Sequence, residues 1–265
     1  MSTPLRALLF DVDGTLADTE ELHRLAFNEA FAEFGLDWFW DRLHYRELLA
    51  VAGGRARMRA WAASRTPDRT EDPGFEALLG EVHRVKTRRY GELAASRGLP
   101  LRPGVARLIE EAAASGLALG IVTTTTAANV DVLLAPHFGQ QWRERFATIV
   151  TGADVAATKP APHLYVEALA RLRLRPGAAL AFEDSANGIR SARAADIDVI
   201  ATPTWYSNAE PLPPTLATLP HLGDPDFPLS NEFPGAPWVD VACLRAWHAN
   251  RGTRSVPNCE ASPCC

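Results

Sequence analysis

The chain predicts an α/β fold, a doubly wound parallel sheet carrying an inserted all-helical cap. Three observations lead there. Short apolar runs recur at 7–10, 117–122, 146–150, 178–182 and 198–201. Each has the length of a strand and lacks the alternation of a half-exposed one, as expected of strands buried on both faces. From Pro103 onward the runs alternate with amphipathic helical patterns, the rhythm of right-handed β-α-β crossovers. Residues 18–96, between the first run and the rest, hold helical patterns and no convincing strand.

Taken in order, Asp18 or Thr19 caps a first helix with Leu22, Ala26, Phe27, Ala30, Phe31 and Phe34 at helical spacing, stopped by Gly35. Trp38-Phe39-Trp40 reads as core of the small helical unit. Residues 43–49 and 55–63 read as two further helices, parted by Gly53-Gly54. A polar loop at 64–73 leads into a long helix over 75–95. In the alternating part, helices are expected at 105–116, 127–134, 162–172 and 188–195, with Pro162 near a helix start, where its missing N–H costs nothing. Nine prolines between Pro203 and Pro237 suggest an extended segment wrapped over the core, followed by one closing helix at 239–248. Residues 251–265 have no periodicity and read as a disordered tail. The division expected is a core of residues 1–17 and 97–250, with a cap of residues 18–96.

Composition removes several function classes. At 265 residues the chain can bury a substantial core. A net charge of -5 offers no electrostatic attraction to nucleic acid or an anionic membrane. No apolar stretch approaches the roughly 20 residues needed to span a bilayer. No basic region followed by a long apolar segment marks a secretory signal. Of the cysteines Cys243, Cys259, Cys264 and Cys265, three crowd the last seven residues, which predicts no disulfide framework in the folded part and no zinc-type C-x-x-C pair. A cytoplasmic enzyme (or its plastid-stroma equivalent) acting on a small molecule is the expectation; the oligomeric state is left open, a monomer included.

The chemistry gathers where the strands end. In open α/β sheets, ligands bind beyond the carboxyl ends of the strands. Asp11 and Asp13 follow the first run, spaced so that both point one way before Gly14 turns the chain. Two anions so close raise at least one pKa unless a cation lies between them. Thr123-Thr124-Thr125-Thr126 follows the second run, Lys159-Pro160 stands in the loop after the next, and Glu183-Asp184-Ser185 follows the one after that. Each has a task in phosphoryl transfer. A carboxylate can attack phosphorus. Carboxylate oxygens suit Mg²⁺. A hydroxyl and a lysine neutralise the transferring oxygens, and a second carboxylate moves a proton.

D-V-D-G-T at 11–15, the strand-end Thr123, K-P at 159–160 and E-D at 183–184 together resemble the four motifs of the haloacid dehalogenase superfamily, and the helical insertion resembles its C1 cap. The resemblance implies Asp11 as nucleophile and Asp13 as general acid/base. It implies Mg²⁺ held by the Asp11 carboxylate, the Asp13 main-chain carbonyl and Asp184, with Glu183 close by. It further implies that Thr123, Thr124 and Lys159 hold the transferring phosphoryl group.

Substrate choice then falls to the cap. Glu20 and His23 share a helix face close after the aspartates and could reach a sugar hydroxyl, although a solvated histidine would look the same. Tyr45, Arg55 and Lys86 are further candidates, the two cations for a second, non-reacting phosphate. The stretches 19–24, 38–41, 45–49 and 83–87, with 123–126 and 183–188, are similar to CbbY-type members of the superfamily. That resemblance implies a phosphatase acting on xylulose 1,5-bisphosphate, a side product of carbon fixation in the Calvin cycle. A β-phosphoglucomutase-like phosphomutase, a phosphoglycolate-type phosphatase and a non-catalytic sugar-phosphate sensor remain open alternatives.

Overall fold

The computed structural model describes residues 3–250 except 52, 66, 68, 69, 71, 210 and 231–235, so the expected tail at 251–265 lies outside the described residues. The apolar runs become parallel strands: β1 (Ala7–Phe10), β2 (Ala118–Val122), β3 (Thr148–Val150), β4 (Ala179–Glu183) and β5 (Asp198–Ala201). A sixth, β6 (Ala217–Thr218), extends the edge, giving the order β3-β2-β1-β4-β5-β6. The register sets Phe10 beside both Ile121 and Phe182, so the first, second and fourth strands end side by side.

Alternating side chains feed two layers. Leu8, Phe10, Leu119, Ile121, Leu180, Phe182 and Ile200 pack under α5 (Val105–Ala114), α6 (Ala127–Phe138) and α9 (Val241–Ala249). Ala7, Leu9, Val122, Val150, Ala181 and Val199 pack under α7 (His163–Leu172) and α8 (Ala186–Ala194). With both faces covered, every strand of the central pair is fully buried, which is why those runs carry no alternation.

Residues between β1 and α5 form a separate helical layer: α1 (Glu20–Glu33), α2 (Arg42–Leu48), α3 (Gly54–Arg65) and α4 (Phe75–Arg97). The aromatic knot is its centre. Trp40 is fully buried, with its ring 4.7 Å from Phe27 and 4.8 Å from Phe31. Asn28 brackets the Trp40 main chain, accepting from its N–H and donating to its carbonyl.

The proline-rich segment does wrap the core. Ala217, Leu219, Leu222, Leu229 and Val239 join the cluster under α5 and α9. Its short edge strand escaped the sequence reading, since two residues carry no periodicity. A second correction concerns cysteine: Cys243, buried on α9, is disulfide-bonded, against the expectation of none in the folded part. Among the described residues no helix is long and apolar enough to cross a membrane.

Candidate active site

β1 is followed directly by Asp11, whose amide donates to the Phe182 carbonyl of β4. Gly14 then turns at φ +80, and a Cβ there would collide with the Asp184 carboxylate and with Glu20. The turn therefore needs glycine for two reasons, the left-handed backbone and the close approach of two carboxylates. It brings the chain back so that Asp13 meets the first helix of the cap.

Asp11 is buried and engaged at both oxygens. Lys159 Nζ lies 2.5 Å from Oδ1, and the Thr15 hydroxyl donates to Oδ2 at 3.1 Å. Lys159 also reaches Glu183 Oε1 at 2.6 Å and the Val122 carbonyl at 2.9 Å. One ammonium thus ties together the ends of three neighbouring strands. Burial works against its charge, but Asp11 and Glu183 outweigh that and raise its pKa. Burial pushes the Glu183 carboxyl up to about 7, with Lys159 opposing. Burial, then Glu20 and Asp11, push Asp184 well above the usual carboxylate range. Asp11 is also raised by burial, with Lys159 opposing.

Oxygens of Asp11, Glu183 and Asp184 lie within 4.8 Å of one another, a group able to hold a metal ion. Four features fit a hard divalent cation: an all-oxygen donor set, carboxyls displaced toward protonation chiefly by burial, their buried position, and a Glu183 Oε2 without a hydrogen-bond partner among the described residues. Glu183 sits behind the other two. The Tyr165 hydroxyl donates to its Oε1, also at 2.5 Å, and a Cβ on Gly188 would run into its carboxylate.

Asp13 faces the cap. The Thr19 hydroxyl donates to its Oδ1 at 2.7 Å, and His23 Nε2 lies 3.1 Å from the same oxygen. On the far side of that ring, Lys86 Nζ lies 2.7 Å from Nδ1. An ammonium can only donate, so Nδ1 accepts and Nε2 carries the proton given to Asp13. The ring stacks on Tyr90 at 4.0 Å, which fixes its plane. Burial and the Lys86 charge hold His23 down to about 4, so it is neutral near pH 7. Asp13 is held down to about 2, its burial outweighed by His23, Thr19 and Lys86. With His23 neutral, the histidine acts there as a hydrogen-bond donor, and Lys86 supplies positive charge. Burial lowers Lys86 itself to about 7.

Core and cap enclose a cavity of about 450 Å³. Asp11, Asp13, Lys159 and Asp184 line it from the core, and Glu20, His23, Tyr45 and Lys86 from the cap. Thr124 lines it as well. Thr123 is fully buried just behind, its hydroxyl accepting from the Thr125 amide at 3.1 Å, so it braces the loop. Glu20 is pushed up to about 8 by burial and by Asp13.

The structure leaves three expected residues off the cavity wall: Thr123 and Glu183 are buried behind it, and Arg55 lies outside. Arg55 does not line the cavity; it is half exposed and lies 3.4 Å from Glu76. Arg57 lines it instead, its guanidinium held by the Leu48 carbonyl at 3.0 Å and the Tyr45 hydroxyl at 3.3 Å. Helix geometry explains the exchange. Residues two apart on a helix face nearly opposite ways, so only one of the two arginines can turn inward. The Arg57 amide closes the first turn on the Gly53 carbonyl, so the glycine pair was the signal to count from. His83, from the stretch 83–87 that held Lys86, also lines the cavity; so do Asn129, Tyr206 and Ser207, whose sequence context gave no signal.

The family model of haloacid dehalogenase-like hydrolases matches residues 5–196. The chain is 51% identical over 246 residues to a plasmid-borne CbbY protein of Cupriavidus necator, covering 92% of this chain and 97% of that one. It is 50% identical over 206 residues to CbbY of Rhodobacter capsulatus, covering 78% and 88%. A crystal structure of CbbY from Rhodobacter sphaeroides in complex with phosphate superposes with a TM-score of 0.74 at 43% identity, covering 82% of this chain and 94% of that chain. A mutant form of that protein in complex with xylulose-(1,5)bisphosphate superposes with a TM-score of 0.74 at 42% identity, covering 84% and 98%. The chain therefore belongs to the haloacid dehalogenase-like hydrolases, and it is a phosphatase of that family. Within the family it is similar to the CbbY proteins.

Proposed function

We propose that this phosphatase hydrolyses a sugar bisphosphate, xylulose 1,5-bisphosphate, to xylulose 5-phosphate with Mg²⁺ as cofactor. One observation carries the reading: the cavity has cations on its cap wall, Arg57 and Lys86, besides Lys159 at the carboxylate-lined floor. A second, non-reacting phosphate is what such a wall suits. The CbbY complex with the bisphosphate supports the choice of sugar.

In the first half-reaction, an Asp11 oxygen bonds to phosphorus as the bond to the sugar oxygen breaks, and Asp13 gives that oxygen its proton. In the second, water attacks the aspartyl-phosphate, Asp13 takes a proton from it, and inorganic phosphate leaves Asp11 free. Asp13 rests ionised, which suits the second step. For the first, arrival of a phosphoryl dianion beside it raises its pKa by like-charge repulsion. Lys159 holds the Asp11 carboxylate in place and neutralises charge on the transferring group, with the Thr123–Thr124 turn beside it. Asp11, Asp184 and the Asp13 main chain would hold Mg²⁺, with Glu183 behind them. Bound there, Mg²⁺ supplies the charge that offsets repulsion between carboxylate and phosphate.

The test is a screen for inorganic phosphate released from sugar mono- and bisphosphates, with Mg²⁺ and with a chelator. Turnover should need the metal and favour the bisphosphate. Asp11→Asn should lower kcat by at least about 10⁴-fold, as loss of a covalent nucleophile does elsewhere. Normal turnover in that variant would overturn the mechanism, and an isomeric sugar phosphate formed without phosphate release would make the enzyme a mutase.

A further inference from the structure

The segment that follows β5 lies beyond the span matched by the family model, which ends at residue 196, yet it reaches the site. Residues 204–208 fold into a compact turn: the Thr204 amide donates to the Ser207 hydroxyl at 2.8 Å, the Ser207 amide donates to the Thr204 hydroxyl at 3.1 Å, and the Asn208 amide donates to the Thr204 carbonyl at 3.0 Å. Tyr206 and Ser207 line the cavity.

From this turn the side chains go to the cap. The Tyr206 hydroxyl donates to Glu21 on α1 and receives a long, 3.4 Å bond from Arg42 Nε on α2. Its ring meets Tyr45 edge-on at 6.0 Å. The Asn208 carbonyl accepts from Arg46 Nη2 at 2.5 Å. Both arginines lie over the Trp205 ring, at 5.0 Å for Arg42 and 4.8 Å for Arg46. Tyr206 is also the one buried member of the cap's hydrophobic cluster, among the described residues, that comes from outside residues 18–96. A core residue buried in the cap's own core costs exposed apolar surface on both units when they separate.

We infer that the turn at residues 204–208 is a latch that holds the cap closed over the core, with Tyr206 as its positioning residue. Ser207 and Asp184 line the same cavity, so this one turn stands between the carboxylate cluster and the cap helices. The latch sets what fraction of molecules has Glu20, His23 and Lys86 over Asp11 and Asp13. Apparent affinity scales with that fraction, because an open molecule must close before the full site exists.

The inference goes beyond the sugar-bisphosphate reading and is tested without it. Small-angle scattering of the full chain would compare the wild type with Tyr206→Phe, which keeps the ring, Tyr206→Ala, and Arg46→Ala on the cap side. A melting curve for each variant would establish that it is folded. A larger radius of gyration is expected in Tyr206→Ala and Arg46→Ala, with Tyr206→Phe between them and the wild type. Losing both the buried ring and its hydrogen bonds should cost the closed state about tenfold in its equilibrium, an effect of roughly 1.4 kcal/mol. With a hydrolysed sugar phosphate in hand, KM should rise about as much in Tyr206→Ala, while kcat changes less. Unchanged radii in folded variants overturn the latch whatever happens to KM; Tyr206 is then an ordinary substrate contact. If no sugar bisphosphate is hydrolysed but the radii change, the latch stands and the substrate reading falls.

Discussion

Lys86 stands where desolvation and function meet. Its ammonium is buried against Phe27 and Tyr90, 4.8 Å and 5.3 Å from the two ring centres, with His23 as its hydrogen-bond acceptor. Burial brings it down to about 7, so near neutral pH the free enzyme holds it part charged and part neutral. For a base whose folded pKa is depressed, the sign is clear. The burial cost is fully present below about 7 and fades as pH rises toward the unfolded value of 10.5. A bound anion reverses the preference and draws a proton onto Lys86. Affinity for a doubly anionic substrate should therefore fall as pH rises above about 7, through a rise in KM. In Lys86→Ala, KM should be raised about tenfold or more below neutrality, the worth of one charged hydrogen bond, and its alkaline rise should vanish. The same alkaline rise in wild type and variant would show that another group titrates.

At the scale of elements, the junction of β4 with α8 concentrates the constraints. Glu183 closes the strand, Asp184 follows, and the Ser185 hydroxyl caps the helix by accepting from the Gly188 amide at 3.2 Å. Gly188 lies in the first turn, where an added Cβ would run into the Glu183 carboxylate. Replacing it with alanine has two opposed effects. Helix propensity favours alanine by about 1 kcal/mol. Overpacking against a buried carboxylate that Lys159 and Tyr165 hold fast costs about 1–3 kcal/mol. The steric term should win, so Gly188→Ala should lower the urea midpoint of unfolding. A midpoint at or above that of wild type would mean that Glu183 moves aside freely.

At the scale of the molecule, the strand ends carry more negative charge than one lysine can offset. Asp11, Asp13, Glu183, Asp184 and Glu20 all converge there; burial works against the charge of each, and four of the five end above the usual carboxylate value. A divalent cation that binds the folded chain and not the unfolded one should stabilise it by about 2.7 kcal/mol at a hundred times its Kd. For a chain of this length that corresponds to a rise in Tm of about 5–10 °C. Adding Mg²⁺ to chelator-treated protein should produce the shift, and Asp184→Asn should remove most of it. An equal shift in both proteins would place the ion elsewhere.

Much of this was legible along the chain because it rests on local physics. Strands buried on both faces must be unbroken apolar runs, so all five major strands could be read. Helix amphipathicity and glycine stops located the nine described helices to within a few residues, although α6 runs on to Phe138, through Pro136, where a stop near Leu134 was expected. The acidic and threonine clusters stood out because each interrupts an apolar run at its end. Tertiary structure alone decided which arginine turns inward, because Arg55 and Arg57 differ only by rotation about one helix axis. It alone paired His23 with Lys86, which are 63 residues apart. It alone brought Tyr206 into the cap, since the stretch 203–237 carries no periodicity and its contacts are made with helices more than 150 residues earlier. Residue type and spacing determine where a chain can put its chemistry; which side chains close over it depends on distances that sequence separation does not encode.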